Sequence, residues 1–320
     1  MSLYSKPVLA VHGVNEKNVV STNKGGNSII YKCQKTDGSF IGVKEYLGEA
    51  NRRIVSMERE VESLNFLHKN NFKNTSKLIS FDKSYPSICY DWIDGATPEA
   101  NDYSKNQITE ALVSLKLLYE IDPSFPLAVD ALSSSTLLAK QIAIRMVAVN
   151  SYLSKYPEIF QSIREALGSR KVKSVSENIF PINTYSFSDI GTHNMLIDSE
   201  AKIYFVDFEF FGADSKVKMF ADLYAHPKSI FTREEIALLA IKLLLTDYEI
   251  HQLSTLMPDI AIKWALITTR RLANEIAIGQ DSANQILQQV KDFLKYSKYL
   301  EEISEIDLIL TFSEFKRMQQ

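Results

Sequence analysis

One stretch of the chain gathers polar side chains at spacings that can do chemistry: Ser186-Phe187-Ser188-Asp189-Ile190-Gly191-Thr192-His193-Asn194. An apolar strand, Met195-Leu196-Ile197, follows. A turn then leads to a second apolar strand, Ile203-Tyr204-Phe205-Val206, which ends on Asp207-Phe208-Glu209. Such a hairpin brings Asn194 and Asp207 together at its open end. Two hard oxygen donors there can hold Mg²⁺, which takes one or two protein carboxylates and fills its other positions with water and substrate phosphate. Asp189, on the loop before the hairpin, can accept a proton from an attacking hydroxyl. Taken alone, Asp189 and Asn194 are also ordinary turn formers. Asp207 at the strand end and a lysine far upstream argue for the chemical reading.

That lysine lies in Ile41-Gly42-Val43-Lys44. Residues two apart on a strand share a face, so Gly42 and Lys44 point the same way. A glycine beside a lysine leaves room for a flat ring while the ammonium reaches phosphate oxygens. Glu60, on the next helix, can pair with Lys44, because a buried lysine without a partner is costly. Glu58 and Glu62 compete for that role. A third feature is the turn Asn23-Lys24-Gly25-Gly26-Asn27-Ser28, whose successive backbone N–H groups can cradle phosphate. By itself it is an ordinary Gly-Gly hairpin.

These groups need elements to position them. Asn18 to Thr22, Ser28 to Cys33 and Phe40 to Tyr46 read as strands, with turn chemistry between them. A helix is predicted from Ala50 to His68, since Ile54, Met57, Val61, Leu64 and Leu67 recur at three- and four-residue spacings. Two more strands are expected near Ser76 to Phe81 and Ser87 to Trp92. Beyond Asp94-Gly95 the chain reads as mostly helical, apart from short strands between Tyr185 and Phe210. Tyr296, Tyr299, Phe312 and Phe315 fall at helical spacings and are assigned to the core. His12, His68, His226 and His251 show no metal-ligand spacing and are assigned to the scaffold or the surface. Arg270-Arg271 and the acidic run Glu301-Glu302-x-x-Glu305-x-Asp307 are assigned to solvated helix faces.

Whole-chain properties narrow the classes. The 320 residues are 45% hydrophobic and 23% charged, as in an ordinary globular protein with a sizeable core. A formal net charge of -3 argues against a nucleic-acid binder driven by phosphate neutralisation. The two cysteines, Cys33 and Cys89, fall on predicted strands and not in a C-x-x-C pair, which suggests buried thiols in a reducing compartment. No apolar run approaches the roughly 20 residues of a membrane span, and Met1 to Val14 lacks a signal-peptide pattern. The expected location is cytoplasmic, without a membrane partner.

The order of turn, strand lysine, helix glutamate, Asp-x-x-x-x-Asn and Asp-Phe-x resembles the protein-kinase-like fold. More narrowly, from about Val19 to Ala225, it resembles the aminoglycoside phosphotransferase and choline kinase superfamily. Asp189, Asn194, Asp207 and Glu209 match that superfamily's pattern, and Ile88-Cys89-Tyr90-Asp91-Trp92-Ile93-Asp94-Gly95 resembles its hinge. Glu60-x-x-x-Leu64-x-x-Leu67 matches its helix and favours Glu60 over its neighbours. One departure is Phe187, which stands where the family usually has His.

The resemblance implies an α+β, two-lobed fold. Residues 1–94 would be a nucleotide-binding lobe, an antiparallel β-sheet with one helix. Residues 95–320 would be a larger, mainly helical lobe with the catalytic loop and the acceptor site. It implies transfer of the γ-phosphoryl group of ATP to a hydroxyl of a small molecule such as a sugar or an amino alcohol. Asp189 would be the catalytic base, and Asn194 and Asp207 would hold Mg²⁺. Lys44, placed by Glu60, would contact the α- and β-phosphates. Gly25, Gly26, Asn27 and Ser28 would cover the triphosphate, and Tyr90, Trp92 and Ile93 would bind adenine through the backbone. Asp222 would buttress the catalytic loop. Two rival readings stay open. A protein kinase is disfavoured because His-Arg-Asp and Ala-Pro-Glu are absent and Phe208 to Phe220 is short for an activation loop. A catalytically silent kinase fold would bind nucleotide without transferring phosphate.

Overall fold

A computed structural model describes residues 6–25, 27–99, 102–114, 124–153, 155–171, 178–226, 231, 235, 239, 245–275 and 280–302. Gly26, Glu305, Asp307, Phe312 and Phe315 lie outside the described residues. The chain divides into two compact units, one made of Met1–Leu118 with Thr192–Phe211 and the other of Tyr119–Gly191 with Gly212–Gln320.

The first unit is built on a five-stranded antiparallel sheet in the order β1-β2-β3-β5-β4. The strands are β1 (Val19–Lys24), β2 (Ser28–Gln34), β3 (Phe40–Tyr46), β4 (Leu78–Asp82) and β5 (Ser87–Asp91). Alternation on β2 and β3 puts Tyr31, Cys33, Ile41 and Val43 into a core with Cys89. The short helix α1 (Lys6–Ala10) adds Val8 and Leu9 to that core. Burial pushes the thiols of Cys33 and Cys89 up to about 11, so both stay protonated near neutral pH. Helix α2 (Ala50–Lys69) buries Met57, Glu60, Val61, Leu64 and Leu67, one stripe at three- and four-residue steps.

A second, three-stranded sheet in this unit has the order β6-β8-β9, from β6 (Gly95–Ala96), β8 (Met195–Asp198) and β9 (Ile203–Phe205). Its hairpin is tied to the chain that leaves α2. Phe205 N donates to Asn74 O at 2.8 Å, and Asn74 Nδ2 donates to Ile203 O at 2.7 Å. Gly95 is needed for close packing here, because a Cβ would sit 2.7 Å from Ile197 O. Helix α3 (Asp102–Ser114) packs against β9.

The second unit is mainly helical, with α4 (Ser135–Leu153), α5 (Pro157–Lys171), α6 (Lys216–Ala225), α7 (Asp247–Glu275) and α8 (Gln280–Glu302). The 29-residue α7 packs against α4, α6 and α8 and buries Ile260, Ala261, Ala265 and Leu266. A small antiparallel pair, β7 (Thr184–Ser186) and β10 (Gly212–Asp214), sits at the root of the Asp189 loop. Tyr299 is half exposed at 52%, against its assignment to the core; it lies on the solvent side of α8. Among the described residues no helix is long and apolar enough to cross a membrane.

Gly212 cannot carry a side chain. A Cβ would lie 2.6 Å from both Leu127 C and Pro126 O, and closer still to Ala128 N. All three are backbone atoms and cannot rotate away. Gly212→Ala should therefore lower stability by roughly 1–3 kcal/mol, seen as a lower denaturant midpoint. An unchanged midpoint would mean that this backbone can separate freely.

Candidate active site

The first unit carries a buried charged triad. Lys44 sits on β3, is only 3% exposed, and donates to Glu60 Oε2 at 2.6 Å and to Asp207 Oδ1 at 2.7 Å. Burial alone would drive the ammonium towards neutrality. The carboxylates of Asp207 and Glu60 outweigh it and raise the Lys44 pKa, so the lysine stays charged. Burial raises the Glu60 pKa against the pull of Lys44. Tyr46 Oη also donates to Glu60 Oε2, at 2.6 Å. Glu58 and Glu62 are exposed, so the choice among the three glutamates follows from which one lies on the apolar stripe of α2.

The β8–β9 hairpin supplies the oxygen donors. Val206 N donates to Asn194 O at 2.9 Å, which fixes the residue before Asp207 opposite Asn194 at the open end. Asp207 has a left-handed backbone, with φ +66°, an uncommon conformation outside glycine that tends to mark functional positions. Its side chain is 36% exposed, and Oδ2 accepts no hydrogen bond among the described residues. A half-open carboxylate, one residue past the backbone bond to Asn194, offers a hard oxygen donor of the kind Mg²⁺ takes. Glu209, two residues on, is buried and accepts from Asn27 Nδ2 at 3.3 Å. The side chain of the glycine turn is thus tied to the hairpin.

The remaining turn and hinge residues are held as follows. Gly25 N donates to Ser28 O at 2.9 Å, and Leu47 N donates to Asn27 O at 2.7 Å. Ser28 is buried. Trp92 N donates to Phe40 O at 3.3 Å, the Trp92 indole N–H donates to Asp94 Oδ1 at 3.2 Å, and Ile93 is half-buried. The sequence reading left room for a flat ring beside Gly42, and the structure corrects it. Gly42 pairs with Tyr90 across β3 and β5, and a Cβ on Gly42 would lie 2.8 Å from Tyr90 Cζ. The Tyr90 ring fills that space, and burial raises its hydroxyl pKa.

In the second unit, Asp189 is 27% exposed at its side chain and is held by a residue that the sequence reading assigned to the scaffold or surface. His226, directly after α6 and 2% exposed at its side chain, has Nε2 at 2.9 Å from Asp189 Oδ1. An ionised carboxylate only accepts, so Nε2–H is the donor. The His226 ring meets the Trp264 ring edge-on at a centroid distance of 4.5 Å. Before Asp189, Ser188 has φ +59° and its Oγ donates to Val129 O at 3.0 Å. Phe187 is buried and adds an apolar ring to the packing.

The Asp222 side chain makes no hydrogen bond to the Asp189 loop among the described residues. Its carboxylate Oδ2 accepts from Lys218 Nζ at 2.6 Å, and Oδ1 has no partner among the described residues. Lys218 is fully buried and also pairs with Asp214 Oδ2 at 2.9 Å. The link from Asp222 towards Asp189 runs through the backbone: His226 N donates to Asp222 O at 2.8 Å, closing the end of α6.

No sequence-family model matches the chain, and no curated protein matches it. Solved structures do. A choline/ethanolamine kinase family protein from Mesorhizobium loti superposes with a TM-score of 0.61 at 15% identity, covering 93% of each chain. The choline kinase LicA from Streptococcus pneumoniae gives 0.57 at 14% identity, over 87% of this chain and 94% of the other. A spectinomycin phosphotransferase solved with ADP and spectinomycin gives 0.58 at 12% identity, over 98% and 99%. The chain therefore has the α+β, protein-kinase-like fold that these kinases and phosphotransferases share.

Proposed function

We propose that this protein is a small-molecule kinase that transfers the γ-phosphoryl group of ATP to a hydroxyl. The observation that carries this reading is the Lys44–Glu60–Asp207 triad, a buried lysine kept charged between two carboxylates, one of them half open. What sets it apart from the fully buried Lys218–Asp214–Asp222 triad is access, since the Asp207 side chain is 36% exposed and its Oδ2 accepts no hydrogen bond among the described residues. The neighbours with this fold include kinases and phosphotransferases, one of them solved with ADP.

In this reading residues 1–94 bind the nucleotide, and 95–320 carry the catalytic loop and the acceptor site. Lys44, oriented by Glu60, binds the α- and β-phosphates. The turn Gly25 to Ser28 covers the triphosphate. Adenine would bond at the Ile93 end of the hinge, because the Trp92 amide is already committed to Phe40. Asn194 and Asp207 would hold Mg²⁺, which when bound would neutralise charge on the transferring phosphoryl group. Asp189 orients the acceptor hydroxyl and takes its proton. Most of the rate gain would come from placement and charge neutralisation.

One observation favours a second reading. With the Tyr90 ring over Gly42, the face meant for adenine is filled from within, as a silent kinase fold would have it. A single assay separates the two. The full chain is incubated with ATP and Mg²⁺ and with pools of sugars, amino alcohols, amino acids or aminoglycosides, and ADP release is followed. A kinase gives release stimulated by one pool, dependent on Mg²⁺ and lost in Asp189→Ala. No stimulation by any pool would overturn the kinase reading in favour of the silent fold.

A further inference from the structure

Lys263, on α7, is an anomaly among the buried charges of the second unit. Its side chain is 4% exposed, yet among the described residues its ammonium donates no hydrogen bond. The nearest carboxylate oxygen is Asp130 Oδ2, at 3.8 Å. Its neighbours are paired with one another, although Asp222 Oδ1 has no partner among the described residues. Lys218 takes both Asp214 and Asp222, and Arg145 Nη2 takes Asp130 Oδ2. Burial accordingly lowers the Lys263 pKa, against the weaker pull of Asp222 and Asp130. The ammonium is not among the fully buried atoms that lack a partner, so it is reachable by water and by a ligand that replaces water.

Asp130 offers the complementary group. It is 30% exposed, its backbone is left-handed at φ +64°, and its Oδ1 accepts no hydrogen bond among the described residues. Burial pushes its carboxyl up, but Lys263 and Arg145 outweigh this and hold it ionised. The segment is fixed from behind, since Gln141 Nε2 donates to Asp130 O at 3.3 Å and to Ala131 O at 3.2 Å.

Two tethers within the unit place this pair beside Asp189. Ser188, next to Asp189, bonds to Val129, next to Asp130. Trp264, next to Lys263, packs on His226, which bonds Asp189. The cluster holds three cations (Arg145, Lys218, Lys263) and three carboxylates (Asp130, Asp214, Asp222), so it is formally neutral and favours no ionic ligand by net charge. At the partly exposed Asp130 it presents an unused donor beside an unused acceptor, while a further unpartnered oxygen, Asp222 Oδ1, is buried. Adjacent hydroxyls meet that demand, because each hydroxyl both donates and accepts. An amine would set a cation against Lys263 and Arg145.

We infer that Lys263 and Asp130 form an acceptor-recognition pair for a neutral compound carrying adjacent hydroxyls, a sugar or polyol, and that they disfavour amines. The inference rests on the reading of Asp189 as the group that faces the acceptor hydroxyl. It has its own readout in binding. Melting temperature is measured for the full chain, for Lys263→Met and for Asp130→Asn, with a pool of neutral sugars and polyols or with a pool of choline, ethanolamine and aminoglycosides. The expected result is a rise with the neutral pool in the unaltered protein, lost in both variants, and no rise with the amine pool. Where a neutral acceptor is turned over, Lys263→Met should raise its KM at least about tenfold, the loss of one charge-assisted hydrogen bond, with the KM for ATP within about twofold. Lys263→Arg, which keeps a donor, guards against a folding defect and should recover part of the affinity. A rise with amines only, no rise with either pool, or an equal rise in both variants would overturn the inference. Failure of ADP release alongside a Lys263-dependent rise would instead count against the kinase reading.

Discussion

Asp207→Ala should leave a folded protein that has lost phosphoryl transfer by about a thousandfold or more, the scale of losing a dominant electrostatic contact in the transition state. The argument turns on what each carboxylate of the triad does. Asp207 is 36% exposed, so its removal takes away little burial, and Lys44 keeps Glu60. The fold should therefore tolerate the change, at a modest cost because aspartate adopts a left-handed backbone more readily than alanine. Lys44→Met should behave differently. It strands Glu60 in the interior with only the Tyr46 hydroxyl, and a broken buried pair costs roughly 3–5 kcal/mol. Activity and stability should fall together in that variant. Lys44→Met with Glu60→Gln should then recover most of the stability and none of the activity. The measurements are ADP release and a denaturant midpoint on the same preparations. Near-normal turnover in Asp207→Ala would remove this residue from the proposed site. Equal stability losses in Asp207→Ala and Lys44→Met would mean that the triad is only a structural pair.

Much of that triad was legible because it rests on local periodicity. Gly42 and Lys44 share a face by the two-residue repeat of a strand, and both lie on β3 as expected. Glu60 lies three residues after Met57 and four before Leu64, so the helical repeat alone puts it on the buried stripe, while Glu58 and Glu62 fall off it. The closing of Asn194 towards Asp207 follows from two apolar strands joined by a short turn. What stayed hidden depends on how distant elements pack. The Tyr90 ring covers Gly42 because of the β3–β5 register, which nothing local sets. Lys263 and Asp130 meet only because α7 packs centrally in its unit and Asp130 precedes α4. A buried lysine amid Ile260, Ala261, Ile262, Ala265 and Leu266 was the one signal in the sequence that could have singled it out. His226 carried a weaker one, four residues after Asp222 at the end of an apolar helix.

His226→Ala should lower kcat by roughly 10–100-fold, as expected when a reacting group loses its aim by about an ångström, with little change in the KM for ATP. In the proposed function Asp189 presents one carboxylate oxygen to the acceptor hydroxyl in a fixed direction. The hydrogen bond from His226 Nε2 to Oδ1 sets that direction. Phe187, two residues before Asp189, has an apolar ring and cannot supply it. The His226 side chain is 2% exposed and packed on Trp264, so it has little freedom to drift. Asp189 itself is 27% exposed and can be solvated when the bond is lost, so the effect should fall on orientation more than on stability. The choice of replacement separates orientation from packing. The donor in use is the far nitrogen of the ring, which the amide of Gln can approach and that of Asn, one methylene shorter, cannot. His226→Gln should therefore recover a large part of kcat while His226→Asn should not, although the two fill the cavity about equally poorly. Equal activity in the two variants would assign His226 to packing alone. Unaltered kcat in His226→Ala would show that Asp189 is aimed by other groups.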